Sequence, residues 1–269
     1  MILSEKLKQD GFIPKILTFG SCLSRYTADR FSNLYGAWTI SSIYHNRSDQ
    51  FCHYQIDGNP QFNWSQLRDD VLRDMGSNDK TGDEDPEQII RNQALSTMGL
   101  HNITPGLPVG NIKSGAPLHE ILDQQDVDII LMDNHMDLGA RIWVKQEAEK
   151  SFPFFMRTDY VSSFRDKFDL APYLSAEQSA TNNIRIAAYL KKRLPKAKII
   201  FLHFPIDKVR AQERRINTTW EFVKALDTDI MSVVNPFYVN DAYHTNSASH
   251  FKPELYFALA GSVRALISE

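Results

Sequence analysis

The 269-residue sequence has little cysteine: Cys22 and Cys52 are the only two. Two thiols cannot staple a disulfide framework, so the fold must rest on a hydrophobic core, and a reducing, cytoplasmic setting is the expectation. Charge of one sign is also lacking, since 30 Lys and Arg face 33 Asp and Glu, a formal net charge of −3. That balance creates no broad positive field for nucleic acid or an anionic membrane surface, and neither is an expected partner. No apolar run approaches the ~20 residues of a membrane span. Lys6, Lys8 and Asp10 stand where a secretory leader would have its apolar stretch, so none is read there. Repeats and low-complexity tracts are missing as well, and the polar run Ser77–Asp85 reads as a turn. What is present, 42% hydrophobic and 23% charged residues, suits a globular protein long enough to bury a full core.

Periodicity carries the reading further. Five short apolar runs are expected strands: Lys15–Gly20, Trp38–Tyr44, Asp128–Asp133, Lys198–Phe204 and Ile230–Tyr238. Their apolar residues run on without alternation, as in a parallel sheet covered on both faces. Helices are expected over Ser24–Leu34, Pro117–Gln125, Thr181–Leu194 and Pro253–Ile267. The third stacks Ile186, Tyr189, Leu190 and Leu194 along one side and stops before Pro195; the last opens on proline. Strands alternating with helices predict a doubly wound α/β sandwich around a mostly parallel five-stranded sheet, one domain over residues 1–269. Two stretches depart from the alternation. Asp57–Ala116 is polar and broken by Gly and Pro, with helices expected over Trp64–Met75 and Pro86–Met98, whereas His135–Ser175 is rich in aromatics. Both leave the sheet and return to it, which reads as two insertions, either lids and binding loops or clusters that merely cover the sheet.

In an open α/β sheet, ligands bind beyond the carboxyl ends of the strands, so the residues after each run matter most. The first run ends in Gly20-Ser21-Cys22 as a helix begins. A glycine there permits a sharp turn, and a helix N-terminus favours a thiolate over a thiol. The third run ends in Asp133-Asn134-His135; the fifth is followed by Asp241, His244 and His250. A nucleophile, an amide donor and two imidazoles therefore fall on one rim. Either His250 or His244 can serve as base, the other as a substrate contact, and Asp241 can orient an imidazole. Ser21 and Ser24 are runner-up nucleophiles or caps of the following helix. Arg25, Asn46, Arg47 and His135 are candidate substrate contacts; the alternative for the arginines is ion pairing with Asp29 and Asp49. Cys52 lacks a glycine turn and reads as a packed thiol, and His203 and His53 as structural or exposed. No third ligand at a recognised spacing marks a metal site beside His244 and His250, and no Gly-rich loop marks a phosphate site.

These residues also carry a resemblance. The segment FGSCLS, residues 19–24, resembles the first block, FGDSLS, of the SGNH (GDSL) hydrolases, with Cys22 on the nucleophilic serine and Ser21 on the aspartate. LMDN, residues 131–134, resembles LGTN of that superfamily and puts Asn134 on its oxyanion-hole asparagine. HFKPELYFALA, residues 250–260, resembles HPxxxGYxxLA and puts His250 on the catalytic histidine. Ser247 stands where the family carries its acid. A cysteine after the glycine turn is nearer the GSCFA-like branch and related capsular-polysaccharide biosynthesis proteins. The resemblance implies an SGNH- or flavodoxin-like sandwich and an acyl-ester hydrolase acting on an acylated carbohydrate or small molecule. An acyltransferase with coenzyme A as acyl donor and a non-catalytic binding module are the alternatives it leaves open. No resident cofactor is implied.

Overall fold

A computed structural model describes residue 5 and residues 11–59, 118–124, 126–147, 150–155, 168–207, 221–222, 225–226, 229–245 and 250–268. Strands β1 (Lys15–Gly20), β2 (Trp38–Tyr44), β3 (Ile129–Asp133), β7 (Lys198–Leu202) and β9 (Ser232–Val234) form a five-stranded parallel sheet in the order β2-β1-β3-β7-β9. The unbroken apolar runs become its centre because both faces are covered: β3 is buried at every residue. Period-two geometry sorts the side chains between two layers. Leu17, Phe19, Ile130, Met132, Ile199 and Phe201 face one layer, built on helices α3 (Leu118–Gln124) and α5 (Ala176–Arg193). Ile16, Ile129, Leu131, Ile200 and Leu202 face the other, built on α1 (Cys22–Tyr35) and α6 (Pro253–Ser268). The protein is thus a doubly wound α/β sandwich.

Local chemistry sets the helix ends. The Ser21 hydroxyl accepts from the Leu23 N–H at 3.0 Å to start α1, a cap worth about 1 kcal/mol. The helix ends at Gly36, whose φ of 72° is the left-handed conformation glycine takes without strain. Helix α5 begins at Ala176, not at Thr181, because Ser175 and Gln178 form a reciprocal capping box ahead of the apolar stripe.

Two other expectations change. The fifth run is not one strand: β9 joins the main sheet, Asn235-Pro236-Phe237 interrupts it, and β10 (Tyr238–Val239) pairs instead with β8 (Ile206–Asp207). Proline has no N–H to give a ladder, and the strand breaks there. The described residues between 135 and 175 form α4 (His135–Gly139) and a small antiparallel sheet, β5 (Lys150–Phe154), β4 (Trp143–Glu147) and β6 (Asp169–Leu170), in that order. Helix α2 (Ser48–Phe51) leads into a π-helical turn, Cys52–Ile56. The helices expected over Trp64–Met75 and Pro86–Met98 lie outside the described residues. Among the described residues, no helix is long and apolar enough to cross a membrane.

Candidate active site

The strand order reverses between β1 and β3, so the chain leaves these neighbours on opposite faces and opens a crevice beyond their carboxyl ends. Cys22 follows β1 and Asn134 follows β3, one on each side of that crevice. The turn carrying Cys22 needs its glycine twice over. Gly20 has φ 134°, and a Cβ on it would lie 2.7 Å from the Asp133 carboxyl. Cys22 is the first residue of α1, in the turn where helix geometry points N–H groups and positive dipole outward.

The imidazole reaching it comes from the far end of the chain. His250 Nε2 lies 3.1 Å from Cys22 Sγ, across 228 residues of sequence. A short antiparallel bridge between His244 and Phe251 closes the loop that presents it. His250 is pinned through the main chain on both sides: the Thr245 hydroxyl donates to the His250 carbonyl at 2.9 Å, and the Phe251 N–H donates to the Tyr256 hydroxyl at 3.1 Å. Tyr26, one turn beyond Cys22, sets its ring edge-on to His250, with centroids 5.9 Å apart. Burial holds the His250 imidazole below the usual histidine range, which keeps it neutral and able to accept a proton near pH 7. Cys22 itself is 6% exposed.

Asn134 is 1% exposed and half-satisfied. Its Oδ1 accepts from the Phe204 N–H at 2.8 Å, which fixes the amide orientation, while Nδ2 has no acceptor among the described residues. Leaving a buried donor unmet costs about 1–3 kcal/mol, and such groups in native proteins call for an explanation. A donor held ready for an oxygen that arrives with the substrate supplies one.

The remaining candidates divide. The imidazole at the sulfur is His250's; His244 instead places its ring 5.4 Å from Phe251. Asp241 is exposed in a 3-10 turn, Asp241–Tyr243. Ser21 and Ser24 are engaged as helix-start residues, the Ser24 hydroxyl donating to the Ser21 carbonyl at 3.2 Å. The arginines take the ion-pair alternative. Arg25 bonds Asp29 one turn along α1 at 3.3 Å. Arg47, 2% exposed, grips Asp49 with two nitrogens, at 2.8 and 2.6 Å, and donates to the Ala140 and Pro172 carbonyls. It fastens the chain at Ala140 and Pro172 to the end of β2. Asn46 is buried, with its N–H on the Gly20 carbonyl at 3.4 Å. His135 stacks on Phe204 with centroids 4.2 Å apart. A cleft of about 440 Å³ lies elsewhere, lined by Asp49, Leu174, Glu177, Gln178, Thr181 and Asn182, none of them part of the Cys22 constellation. Among the described residues no three His, Cys, Asp or Glu side chains converge as metal ligands would.

Sequence reasoning missed Asp133. Its carboxylate is 3% exposed and accepts three main-chain N–H groups: Ser21 at 2.8 Å, Ser24 at 3.0 Å and His135 at 3.0 Å. One available signal was that α1 has no acid in its own first turn.

No protein-family profile and no curated protein matches the chain. Solved structures do resemble it at low identity. One is an acetyl xylan esterase from the rumen bacterium Butyrivibrio proteoclasticus, with 10% identity, 96% of this chain and 64% of that one covered, and a TM-score of 0.41. Another is a carbohydrate esterase family 2 enzyme with a carbohydrate-binding domain from Corynascus thermopiles (Myceliophthora fergusii), with 11% identity, coverage of 97% and 67%, and a TM-score of 0.42. A third is a carbohydrate esterase whose active site is described as having divergent catalytic and non-catalytic binding functions, with 8% identity, coverage of 94% and 64%, and a TM-score of 0.38. The chain spans about two thirds of the length of each.

Proposed function

We propose that the chain is an acyl-ester hydrolase with Cys22 as nucleophile, His250 as base and Asn134 as oxyanion donor. The observation that carries this reading is the 3.1 Å contact between Cys22 Sγ and His250 Nε2 at the start of a helix. The steps follow from the groups present. As the sulfur attacks the ester carbonyl carbon, its proton passes to His250 Nε2. The carbonyl oxygen becomes an oxyanion and takes hydrogen bonds from Asn134 Nδ2 and the Cys22 N–H, donors worth roughly 3–4 kcal/mol each when preorganised. The C–O bond breaks, the departing alkoxide takes the proton from His250, and an acyl-cysteine thioester remains. Water, deprotonated by His250, attacks the thioester; the carboxylic acid leaves and the thiol recovers its proton. A thiol is a stronger nucleophile than a hydroxyl, which suits a dyad with Ser247 where the SGNH family carries an acid. The resemblance of the three blocks to SGNH hydrolases supports an acylated carbohydrate as the substrate class.

The low exposure of Cys22 favours a second fate for the same intermediate. A thioester shielded from bulk water survives to meet an alcohol, so acyl transfer uses the same residues. The C–S bond of an acyl-CoA breaks in place of the ester C–O bond, CoA leaves as the thiol with the proton from His250, and an alcohol in place of water then takes the acyl group from Cys22. The test is incubation with an aryl acetate, with release of the phenol followed alongside intact-protein mass. A burst of one equivalent of phenol with an acetyl adduct on Cys22 is the expected result, and Cys22→Ala abolishes both. Turnover that survives in Cys22→Ala, or no adduct and no turnover in the unmutated protein, would overturn the reading; the latter outcome leaves a binding module.

A further inference from the structure

The carboxylate of Asp133 touches nothing that reacts, yet it binds both halves of the site together. Its Oδ2 accepts from the Ser21 and Ser24 N–H groups, on either side of Cys22, and its Oδ1 from the His135 N–H, directly after Asn134. The acid that α1 lacks in its first turn is thus supplied by β3, 109 residues away from Ser24. It is 3% exposed, so its field is little screened by water. The price of that arrangement is electrostatic: a carboxylate occupies the same positive helix end that would otherwise stabilise a thiolate at Cys22.

We propose that Asp133 is a positioning residue that locks the Cys22 turn against the Asn134 strand end and keeps the Cys22–His250 pair a neutral thiol and imidazole at rest. This rests on the nucleophile reading above and deepens it. The proton then moves only as the sulfur attacks, in place of a preformed thiolate–imidazolium pair. The surroundings point the same way. His250 is held below the usual histidine range by burial, which opposes an imidazolium. Burial pushes the Tyr256 hydroxyl of α6 up, and that group feels both Cys22 and Asp133. Tyr26 is raised by burial and then by the sulfur, while the nearest cation on α1, Arg25, is paired with Asp29.

The ultraviolet absorbance of the thiolate, with the Cys22→Ser signal subtracted, reads the Cys22 ionisation directly and needs neither substrate nor access for a reagent. Cys52 does not interfere, since burial pushes its thiol up to about 12. The expected midpoint in the unmutated protein is at or above the ~8.5 of free cysteine. Asp133→Asn, whose fold is checked by circular dichroism, should bring it down by about 1 pH unit. In that variant kcat for the aryl acetate falls at least about tenfold at unchanged KM, as the two loops lose their common anchor. A midpoint below about 7 in the unmutated protein, or one that Asp133→Asn does not move, would overturn the proposal. The first criterion needs no change at Asp133 and decides the matter even if Asp133→Asn fails to fold. Absence of esterase activity would sink the hydrolase reading while leaving this titration to be read.

Discussion

Cys22 and Cys52 follow neighbouring parallel strands, β1 and β2, and are nearly equally buried, at 6% and 3% exposure. Their surroundings differ in kind. Cys22 starts a 14-residue helix and faces an imidazole nitrogen at 3.1 Å. Cys52 opens a π-helical turn and faces the main-chain carbonyl of Asn182 at 3.7 Å, an acceptor that takes a hydrogen bond and never a proton. Burial pushes the Cys52 thiol up to about 12; Arg185 opposes this weakly, and the carboxylates of Asp57, Asp137 and Asp49 add to it. Burial therefore does not tell the two thiols apart. The group able to receive its proton does.

One buried polar group on each side differs as well. Beside Cys22, Asn134 Nδ2 is kept without an acceptor, at a cost in stability. Beside Cys52, Asp137 is saturated by the Ser48 N–H, the Ser179 hydroxyl and the Asn183 amide, tying α4 to α2 and α5. The largest effect is expected from Asn134→Asp. That variant keeps an oxygen for the Phe204 N–H but puts a buried carboxylate, next in sequence to Asp133, in place of the spare donor. A fall in kcat of at least ~10²–10³-fold is the expected outcome, together with a lower thermal midpoint from the buried carboxylate. Full activity in Asn134→Asp would break the contrast on the Cys22 side.

Much of this was legible in the sequence. Strands β1 and β2 fall where their runs lie, residue for residue, and in β1 the reason is that a strand buried on both faces is written as an uninterrupted run. That Cys22 and His250 come together, with Asn134 at the neighbouring strand end, was also readable, since each follows a strand or precedes a helix at the ligand-binding end. The choice between His250 and His244 was not. It depends on the bridge between His244 and Phe251, which turns one ring to the sulfur and the other to a phenylalanine. Nor was the fate of Arg25 and Arg47, because an arginine near a site looks the same in sequence whether its partner is a substrate or an aspartate. Asp133 was hidden for a different reason. It caps a helix from another strand, and no local spacing records a contact made across 109 residues.

A smaller effect tests the Cys52 side. Burial wins over three hydrogen bonds and raises the Asp137 carboxyl from 3.8 to about 6. The folded protein therefore holds this proton more tightly than the unfolded chain, so the stability linked to it is complete below about pH 4 and lost as pH rises through about 6. The interval corresponds to at most about 3 kcal/mol. Urea unfolding at pH 4 and pH 7 should show the unmutated protein losing on the order of 2 kcal/mol more than Asp137→Asn across that range. Equal losses in the two proteins would mean that Asp137 is not the titrating group.

Cys52→Ala is expected to do least, and it isolates the comparison most sharply. Trimming one sulfur from a well-packed position costs about 1 kcal/mol, through lost contacts and a small cavity, and leaves no buried donor or acceptor unmet that water or a backbone shift must satisfy. The Asn182 carbonyl loses only a weak sulfur donor. Aryl acetate turnover should stay within twofold of the unmutated protein, and an alkylating reagent near pH 7 should still add one equivalent, on Cys22. If the reagent instead labels Cys52 first in the unmutated protein, or if Cys52→Ala removes turnover, then the imidazole contact does not decide which sulfur reacts, and the assignment of roles to the two thiols is reversed.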